Sequence, residues 1–239
     1  MAKWSIGKGH IKILKRSVNV DEFPHEVNII LDQFGVKTYK ELAKLTCSKK
    51  ILEKLVNEFW DDPEVCKYVA KNFESSPELL KRLSNHPAKD VRIAVASRTN
   101  LDIKTAFKLV FDSCIQVRQA LARKSNYKNV KKFLLQMNLS NSKIVSAILL
   151  KPENSELILE FINQEKLDVI EAFLENDTLS ESYLRAILEL QFRKTEYHFI
   201  DKIFAHPNFS EEIGRFVIEN LAMGLTDAEF QAIKNFVEK

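Results

Sequence analysis

Four segments of this chain repeat one pattern at intervals of about 26 residues. They begin with VRIAVASRTN at Val91, VRQALARKSN at Val117, IVSAILLKPEN at Ile144 and VIEAFLENDT at Val169. Each opens with an apolar residue, followed by a small residue three positions on and another apolar residue four positions on. Those offsets place all three side chains on one face of a helix. A repeat of this length predicts stacked structural units, each packed on its neighbours, rather than one globular fold around a pocket.

A capped second helix is predicted after each of these first helices. Ser76-Pro77-Glu78 is the clearest start, because it combines a capping hydroxyl, a proline for the first turn and an acid that favours the helix dipole. Degenerate copies of the first helix begin at Val65 and Phe199, which extends the pattern in both directions. The caps predicted for the later second helices are Asp102, Ser155, Ser180 and Ser210.

The scarcity of glycine, with five in 239 residues, also favours long helical stretches. The sequence therefore predicts an all-α fold, an α-solenoid built as a superhelical array of two-helix repeats over residues 63–222. Residues 1–62 are predicted to form a basic arm and a helical N-terminal cap. Residues 223–239 are predicted to form a C-terminal capping helix, so that all three parts pack as one continuous unit.

Helix-start signals support the two flanking blocks. After one predicted helix, Thr38 and Glu41 have the spacing of a capping box at the start of the next. Ser48 is placed to cap the helix that follows. Thr226 and Glu229 repeat the capping-box spacing before the last apolar stripe.

The segment HPAKDVRIAVASRTNLDIKTAFKLV, which begins at His86, resembles a unit of the leucine-rich repeat variant family, within the wider HEAT-like group of α-solenoids. The likeness is strongest over residues 77–135 and extends over 63–222. It implies units that pair a helix with a shorter, partly 3₁₀ helix in a right-handed superhelix. One architecture of that family carries an N-terminal cysteine cluster that binds iron–sulfur. This chain lacks the cluster, so the resemblance implies no cofactor.

A second segment, ILDQFGVKTYKELAKLT from Ile30, is similar to the helix–turn–helix portion of helix-hairpin-helix and SAM-like modules. That similarity implies contact with DNA, although the G-x-G of the usual hairpin is missing. A helix, a glycine stop and a capped helix account for the same residues without DNA. HEAT-like DNA glycosylases are a further alternative, but the tryptophans such a groove would use, Trp4 and Trp60, lie outside the repeats here.

Charge is distributed unevenly, although the net charge is only +3. Residues 1–151 hold 28 Lys and Arg against 15 Asp and Glu, and residues 152–239 hold 8 against 18. Equivalent positions of successive repeats carry cations, as Arg92 and Arg118 do directly after the first apolar residue. Equal offsets in stacked units line up on one surface, so we predict a basic ladder that contacts phosphates or an acidic partner. The predicted ladder comprises Arg92, Arg98, Arg118, Arg123, Lys124, Lys128, Lys131 and Lys132.

A structural role is the alternative for the same cations. Many exposed helix faces carry solvated lysines, and an arginine directly after the valine anchor can bond to carboxylates or loop carbonyls across units. The cations also stop within the array, since Ile170, Asn176 and Ile200 occupy the later positions. This favours a local patch over a groove that runs along the whole array.

Residues that catalysis would need are sparse. Cys47, Cys66 and Cys114 lie far apart with no C-x-x-C pair, so neither a zinc site nor a disulfide framework is predicted. His86 and His206 each precede a proline, which is typical of a turn or capping residue rather than of a general base. No P-loop, G-x-S-x-G or H-E-x-x-H motif is present. We predict no catalytic residue, no metal and no cofactor.

The repeat and the sparse chemistry predict a non-enzymatic scaffold that binds a protein partner along its helical surface. Nucleic-acid binding through the basic residues 1–135 is the main alternative, and head-to-tail self-association of the basic half on the acidic half is a third. Lysines stand where a signal peptide would be apolar, and no apolar run approaches the roughly 20 residues of a membrane span. We therefore expect a soluble, cytoplasmic protein without a membrane partner.

Overall fold

The computed structural model describes residues 39–194, 199–221 and 225–238. Within these ranges the chain forms fifteen α-helices and one short 3₁₀ helix, and no β-strand. The predicted all-α class is therefore confirmed for the described part of the chain. The predicted basic arm, the first predicted helix and the Thr38 cap lie outside the described residues.

The chain divides into two compact units, residues 1–126 and residues 127–239. The division falls inside the predicted repeat array, between the first and the second helix of the repeat that begins at Val117. The solenoid and its three-part organisation stay predictions.

Seven helices make up the described part of the first unit. Four of them, α1, α3, α5 and α7, form a row in which each contacts the next-but-one helix along the chain. The intervening helices pack beside this row, α2 on α1 and α3, α4 on α3 and α5, and α6 on α7. Their bounds are α1 Tyr39–Leu45, α2 Lys49–Glu58, α3 Pro63–Lys71, α4 Pro77–Leu83, α5 Lys89–Ala96, α6 Ile103–Val110 and α7 Ile115–Lys124.

The repeated apolar positions form the core of the row in the first unit. Val91 and Val95 on α5, and Val117 and Leu121 on α7, are all fully or almost fully buried. The small residue between them, Ala94 in α5, is buried as well, as its equivalent in α7 is. A small side chain at this position lets neighbouring helices approach closely, so the predicted core face is confirmed here.

The second unit continues the alternation of helices. Its helix α9 contacts α11, and α10 contacts α12, so next-but-one contacts recur. A 3₁₀ helix, Pro152–Asn154, joins α9 to α10. The α-helices are α8 Lys128–Met137, α9 Ser142–Leu149, α10 Ser155–Asn163, α11 Leu167–Leu174, α12 Glu181–Lys194, α13 Ile200–Phe204, α14 Glu211–Asn220 and α15 Asp227–Val237.

The second unit has its own core and its own terminal helix. Phe161 and Phe173 are buried and meet edge to face, with ring centroids 6.5 Å apart. The last helix, α15, packs on α14 at Gly214, where an added Cβ would lie 2.5 Å from Cγ2 of Val237. Glycine therefore allows the close approach of the two helices, and Ile233 of α15 is buried in the same contact.

Most of the predicted caps are confirmed. Ser48, Ser76, Asp102 and Ser210 each accept a hydrogen bond from the backbone N–H three residues on. The predicted capping box at the start of α15 is complete in both directions. Helix α12 begins directly after Ser180, as predicted.

The cap predicted at Ser155 is wrong by one position. Ser155 is the first residue of α10, and Asn154 stands in the cap position without donating or accepting a cap bond. Asn154 is buried, and its side chain is occupied by Lys131 and by the carbonyl of Ile148. The packing requirement of that amide therefore outweighs the capping preference of the serine.

Candidate functional site

Arg92, the first residue of the predicted ladder, is held inside the first unit. Its Nε and Nη2 donate to the two carboxylate oxygens of Asp112 at 2.7 and 3.1 Å. Its Nη1 donates to the carbonyls of His86 and Pro87 at 2.9 and 2.8 Å. The guanidinium therefore joins α5 to the loops before α5 and after α6. Such a bidentate pair fixes geometry as well as charge, and it matches the structural alternative considered for this position.

The ion pair changes the acidity of Asp112. Burial of this carboxyl, whose side chain is only 6% exposed, would raise its pKa. Hydrogen bonds from Arg92 and from the Cys114 amide more than offset that effect, so the pKa of Asp112 is lowered below its usual value. Arg118 also bonds to this loop, because its Nη1 donates to the carbonyl of Asp112.

Arg98 is a buried structural residue and is only 7% exposed. Its Nη1 donates to the carbonyls of Lys71 and Asn72 at 3.0 and 2.9 Å, and its Nη2 donates to the carbonyl of Phe73 at 3.4 Å. Its Nε donates to Oδ1 of Asn100 at 3.1 Å. Because these partners are neutral and the site is dry, desolvation lowers the pKa of Arg98.

The predicted lysines of the second unit are also engaged. Lys128 pairs with Glu156 and Glu160, and Lys132 pairs with Glu160. Hydrogen bonds from the two lysines lower the pKa of Glu160 to about 2. Lys131 is 3% exposed and bonds to the side-chain oxygen of Asn154, and burial lowers its pKa. These contacts join α8 to α10 and the 3₁₀ helix.

Only Arg123 and Lys124 of the predicted ladder are exposed without a partner among the described residues. Both lie in the last turn of α7, where cations are favourable to the helix dipole. The predicted ladder therefore consists of two exposed cations and of others that bond within the fold. Binding of an acidic ligand by this set stays a prediction.

Both histidines that precede prolines act as turn residues, as the sequence indicates. Nδ1 of His86 accepts from the amide of Ala88 at 3.0 Å, and its Nε2 lies 2.7 Å from the carbonyl of Trp60. His206 repeats the arrangement with the amide of Asn208 at 3.1 Å and the carbonyl of Asn176 at 3.3 Å. Each ring is the tautomer with its proton on Nε2, bonded at both nitrogens, and neither is available as a general base.

Two of the three cysteine thiols donate hydrogen bonds in the described part of the chain. Cys66 donates to the carbonyl of Phe59 at 3.4 Å, and burial raises the pKa of its thiol to about 11. Cys114 donates to Gln116 at 2.8 Å. No group of three or more metal-ligating side chains occurs among the described residues. An opening of about 470 Å³ lies beside Ser180, Glu181, Arg185 and Glu212 in the second unit.

Exposed apolar side chains were not predicted from the sequence. Phe73, in the turn after α3, is 91% exposed. Ile103 at the start of α6 and Phe111, the residue directly after its end, are exposed, with half-buried Phe107 between them at four-residue spacing, and we call these three the α6 stripe. In the second unit, Phe133 and Met137 are exposed one turn apart on α8, and we call this pair the α8 stripe. Periodicity in the sequence identifies an apolar face on a helix but not what covers that face.

A second feature missed from the sequence is a basic surface on α1 and α3. Lys40 and Lys44 are exposed on α1, and Lys67 and Lys71 flank the ring of Tyr68 on α3 with their Nζ atoms 5.8 and 6.0 Å from its centroid. Lys67 also pairs with Glu64. Alignment of the four clear repeats did not include these lysines, because α1 precedes the repeats and α3 belongs to a degenerate copy.

No family model, no curated protein and no solved structure matches the chain. No described helix is both long and apolar enough to cross a membrane.

Proposed function

We propose that the chain is a non-enzymatic scaffold whose helical surface binds a protein partner. The observation that carries the proposal is the pair of exposed apolar stripes, one on α6 and one on α8. A single exposed apolar residue needs no explanation, but neighbouring large ones on one helix face are typical of protein contacts. Phe111 alone is 63% exposed.

The state of the predicted ladder supports a protein ligand over a phosphate chain. Arg92, Lys128 and Lys132 are already paired with carboxylates, and Arg98 and Lys131 are buried. A surface that follows a nucleic-acid backbone needs cations that can replace counterions at successive phosphates. Cations that stabilise the fold by internal pairing contribute little to such a surface.

Site-specific photo-crosslinking in the native cells tests the proposal. A benzoylphenylalanine introduced in place of Phe111 or Met137 should give discrete adducts that protease removes and nuclease does not. The matched controls place the same group at Lys104 or Gln136, exposed polar neighbours on the same helices. Adducts that form equally from the control positions, or none from either stripe, contradict the proposal.

Nucleic-acid binding remains the second candidate, because residues 113–151 hold eight Lys and Arg and no Asp or Glu. Arg123 and Lys124 are the residues to change in a test of nucleic-acid binding, because charge reversal at Arg92 or Arg98 would break hydrogen bonds within the fold. Binding of random duplex DNA or RNA at about 50 mM salt, lost in the Arg123→Glu, Lys124→Glu double variant, would support this candidate. No binding at that salt concentration removes it.

A further inference from the structure

The turn that follows α3 presents a phenylalanine where a polar residue would suffice. Phe73 lies between Asn72 and Glu74, and 91% of its surface is exposed. Burial of a phenylalanine side chain stabilises a protein relative to exposure of the same side chain. The fold of the first unit gains almost none of this, so the apolar surface is left available for a ligand.

The backbone of this turn is held in place by the neighbouring repeats. Nδ2 of Asn72 donates to the carbonyls of Ala43 and Thr46 at 2.7 and 2.9 Å, and its Oδ1 accepts from the amide of Glu74 at 2.9 Å. Arg98 bonds to three successive carbonyls of the turn, as described above. A fixed turn loses little conformational entropy on binding, which favours its use as an anchor.

One side of the Phe73 ring faces the guanidinium of Arg98, whose carbon lies 5.3 Å from the ring centroid. The positive charge of Arg98 is not neutralised by a carboxylate, since its hydrogen bonds go to carbonyls and to the amide oxygen of Asn100. The ring is therefore supported on one side and open to solvent over most of its remaining surface.

Two exposed lysines belong to the backbone segments that meet at this turn. Lys71 is two residues before Phe73, and Lys44 lies between the two carbonyls that Asn72 binds at the end of α1. Neither lysine pairs with a carboxylate among the described residues. Glu74 is the carboxylate nearest in sequence to Phe73, and Arg98, Lys44 and Lys71 supply three positive charges on the segments that meet at the turn.

We propose that Lys44, Lys71, Phe73 and Arg98, which we call the Phe73 edge, bind an acidic segment of a partner protein. An apolar side chain of the segment covers the open part of the ring, and its carboxylates lie near Lys44 and Lys71. The proposal rests on the proposed protein-binding function and adds the class of partner. A single-stranded nucleic acid is less favoured, because such ligands stack successive bases on several aromatic side chains and this edge offers one.

A synthetic peptide tests the proposal on the full chain. The probe is a fluorescein-labelled peptide of alternating Glu and Gly with one central Phe, and its binding is followed by anisotropy. We expect saturable binding that weakens at least tenfold in the Phe73→Ser variant and weakens also in Lys71→Glu. The control variant is Phe111→Ser, which removes an exposed phenylalanine elsewhere in the same unit and should leave peptide affinity unchanged.

Two further probes separate the alternatives. A peptide with Ser in place of Phe should bind at least tenfold more weakly, and a labelled dT12 oligonucleotide should show no dependence on Phe73. The inference is overturned by an absence of peptide binding, by equal loss in the Phe111→Ser variant, or by an oligonucleotide that binds through Phe73. If the peptide fails while photo-crosslinks still form at Phe111 or Met137, the proposed function stands and only the Phe73 edge is refuted.

Discussion

At the scale of single residues, a cation at a repeated position can form part of a surface or bond within the fold. Arg92 and Arg118 occupy equivalent repeat positions, and equal spacing predicts that they share a surface. In the structure both guanidinium groups bond to Asp112 or its backbone. The sequence could predict where the cations lie on the helices, but not the carboxylate 20 residues on that neutralises one of them, because that contact depends on how the loop after α6 folds back.

The Arg92–Asp112 pair is expected to stabilise the first unit. Replacement of Asp112 by Asn leaves the guanidinium without its counter-charge in a half-buried site, which should lower the free energy of unfolding by about 2 kcal/mol at pH 7. Urea unfolding followed by circular dichroism measures the change. Asp90→Asn, which alters an exposed carboxylate on α5, the helix that carries Arg92, is the control and should change stability by less than about 0.5 kcal/mol.

The stability that the protein loses in the Asp112→Asn variant is expected to depend on pH. The pKa of Asp112 is lowered in the folded protein, so its contribution is complete above the ordinary aspartate pKa of about 3.9 and disappears as the pH falls through the lower, folded value. The stability difference between the wild-type protein and Asp112→Asn should therefore shrink from pH 5 towards pH 2. A difference that stays constant over that range would show that Asp112 acts by packing and not by charge.

At the scale of elements, side chains at the ends of the first helices bond to backbone carbonyls one repeat earlier. Asn72 binds the end of α1, and Arg98 binds the end of α3 and the turn after it. Both residues stand seven positions after the first apolar residue of their repeat, at Val65 and Val91. The repeat position could be identified from the sequence, but its hydrogen bonds could not. Asn, Arg and Lys all occur at this position, and only the structure shows which of these side chains reach a carbonyl.

Lys124 is the next residue in this series, and it is exposed without a partner among the described residues. We expect that Lys124→Arg places a guanidinium within reach of the carbonyls of Ser97 and Arg98, since Arg98 reaches the equivalent carbonyls of Lys71 and Asn72. The added hydrogen bonds should stabilise the protein by about 1 kcal/mol in urea unfolding.

Lys81→Arg is the matched control for this change, because it makes the same replacement on an exposed face of α4 and should be neutral. Arg98→Lys, which shortens the side chain at the occupied position, should in turn be destabilising. If Lys124→Arg leaves stability unchanged while Arg98→Lys lowers it, the reach of an arginine is not enough and the burial around Arg98 accounts for its effect.

For the whole molecule, the sequence predicted the all-α class, most helix starts and the buried face of the first helices in the first unit. It did so because those features follow from local periodicity and capping. The division of the chain near residue 126 was not predicted, since the repeat spacing continues through it without interruption. The charge follows that division in part, because residues 1–126 carry 23 Lys and Arg against 15 Asp and Glu. Residues 127–239 carry 13 against 18.

Each unit has a core of its own, so each is expected to fold when produced alone. In the first unit Leu52, Val91 and Leu121 are buried, and in the second Phe161 and Phe173 are buried. Polypeptides of residues 1–126 and 127–239 should both show helical circular dichroism and a cooperative urea transition, as single small domains do. In a stacked array, by contrast, stability depends on nearest-neighbour interfaces, and a cut inside the array removes one of them. A fragment that is unfolded, or that regains its helices only when the other is added, would contradict independent folding and support a continuous solenoid instead.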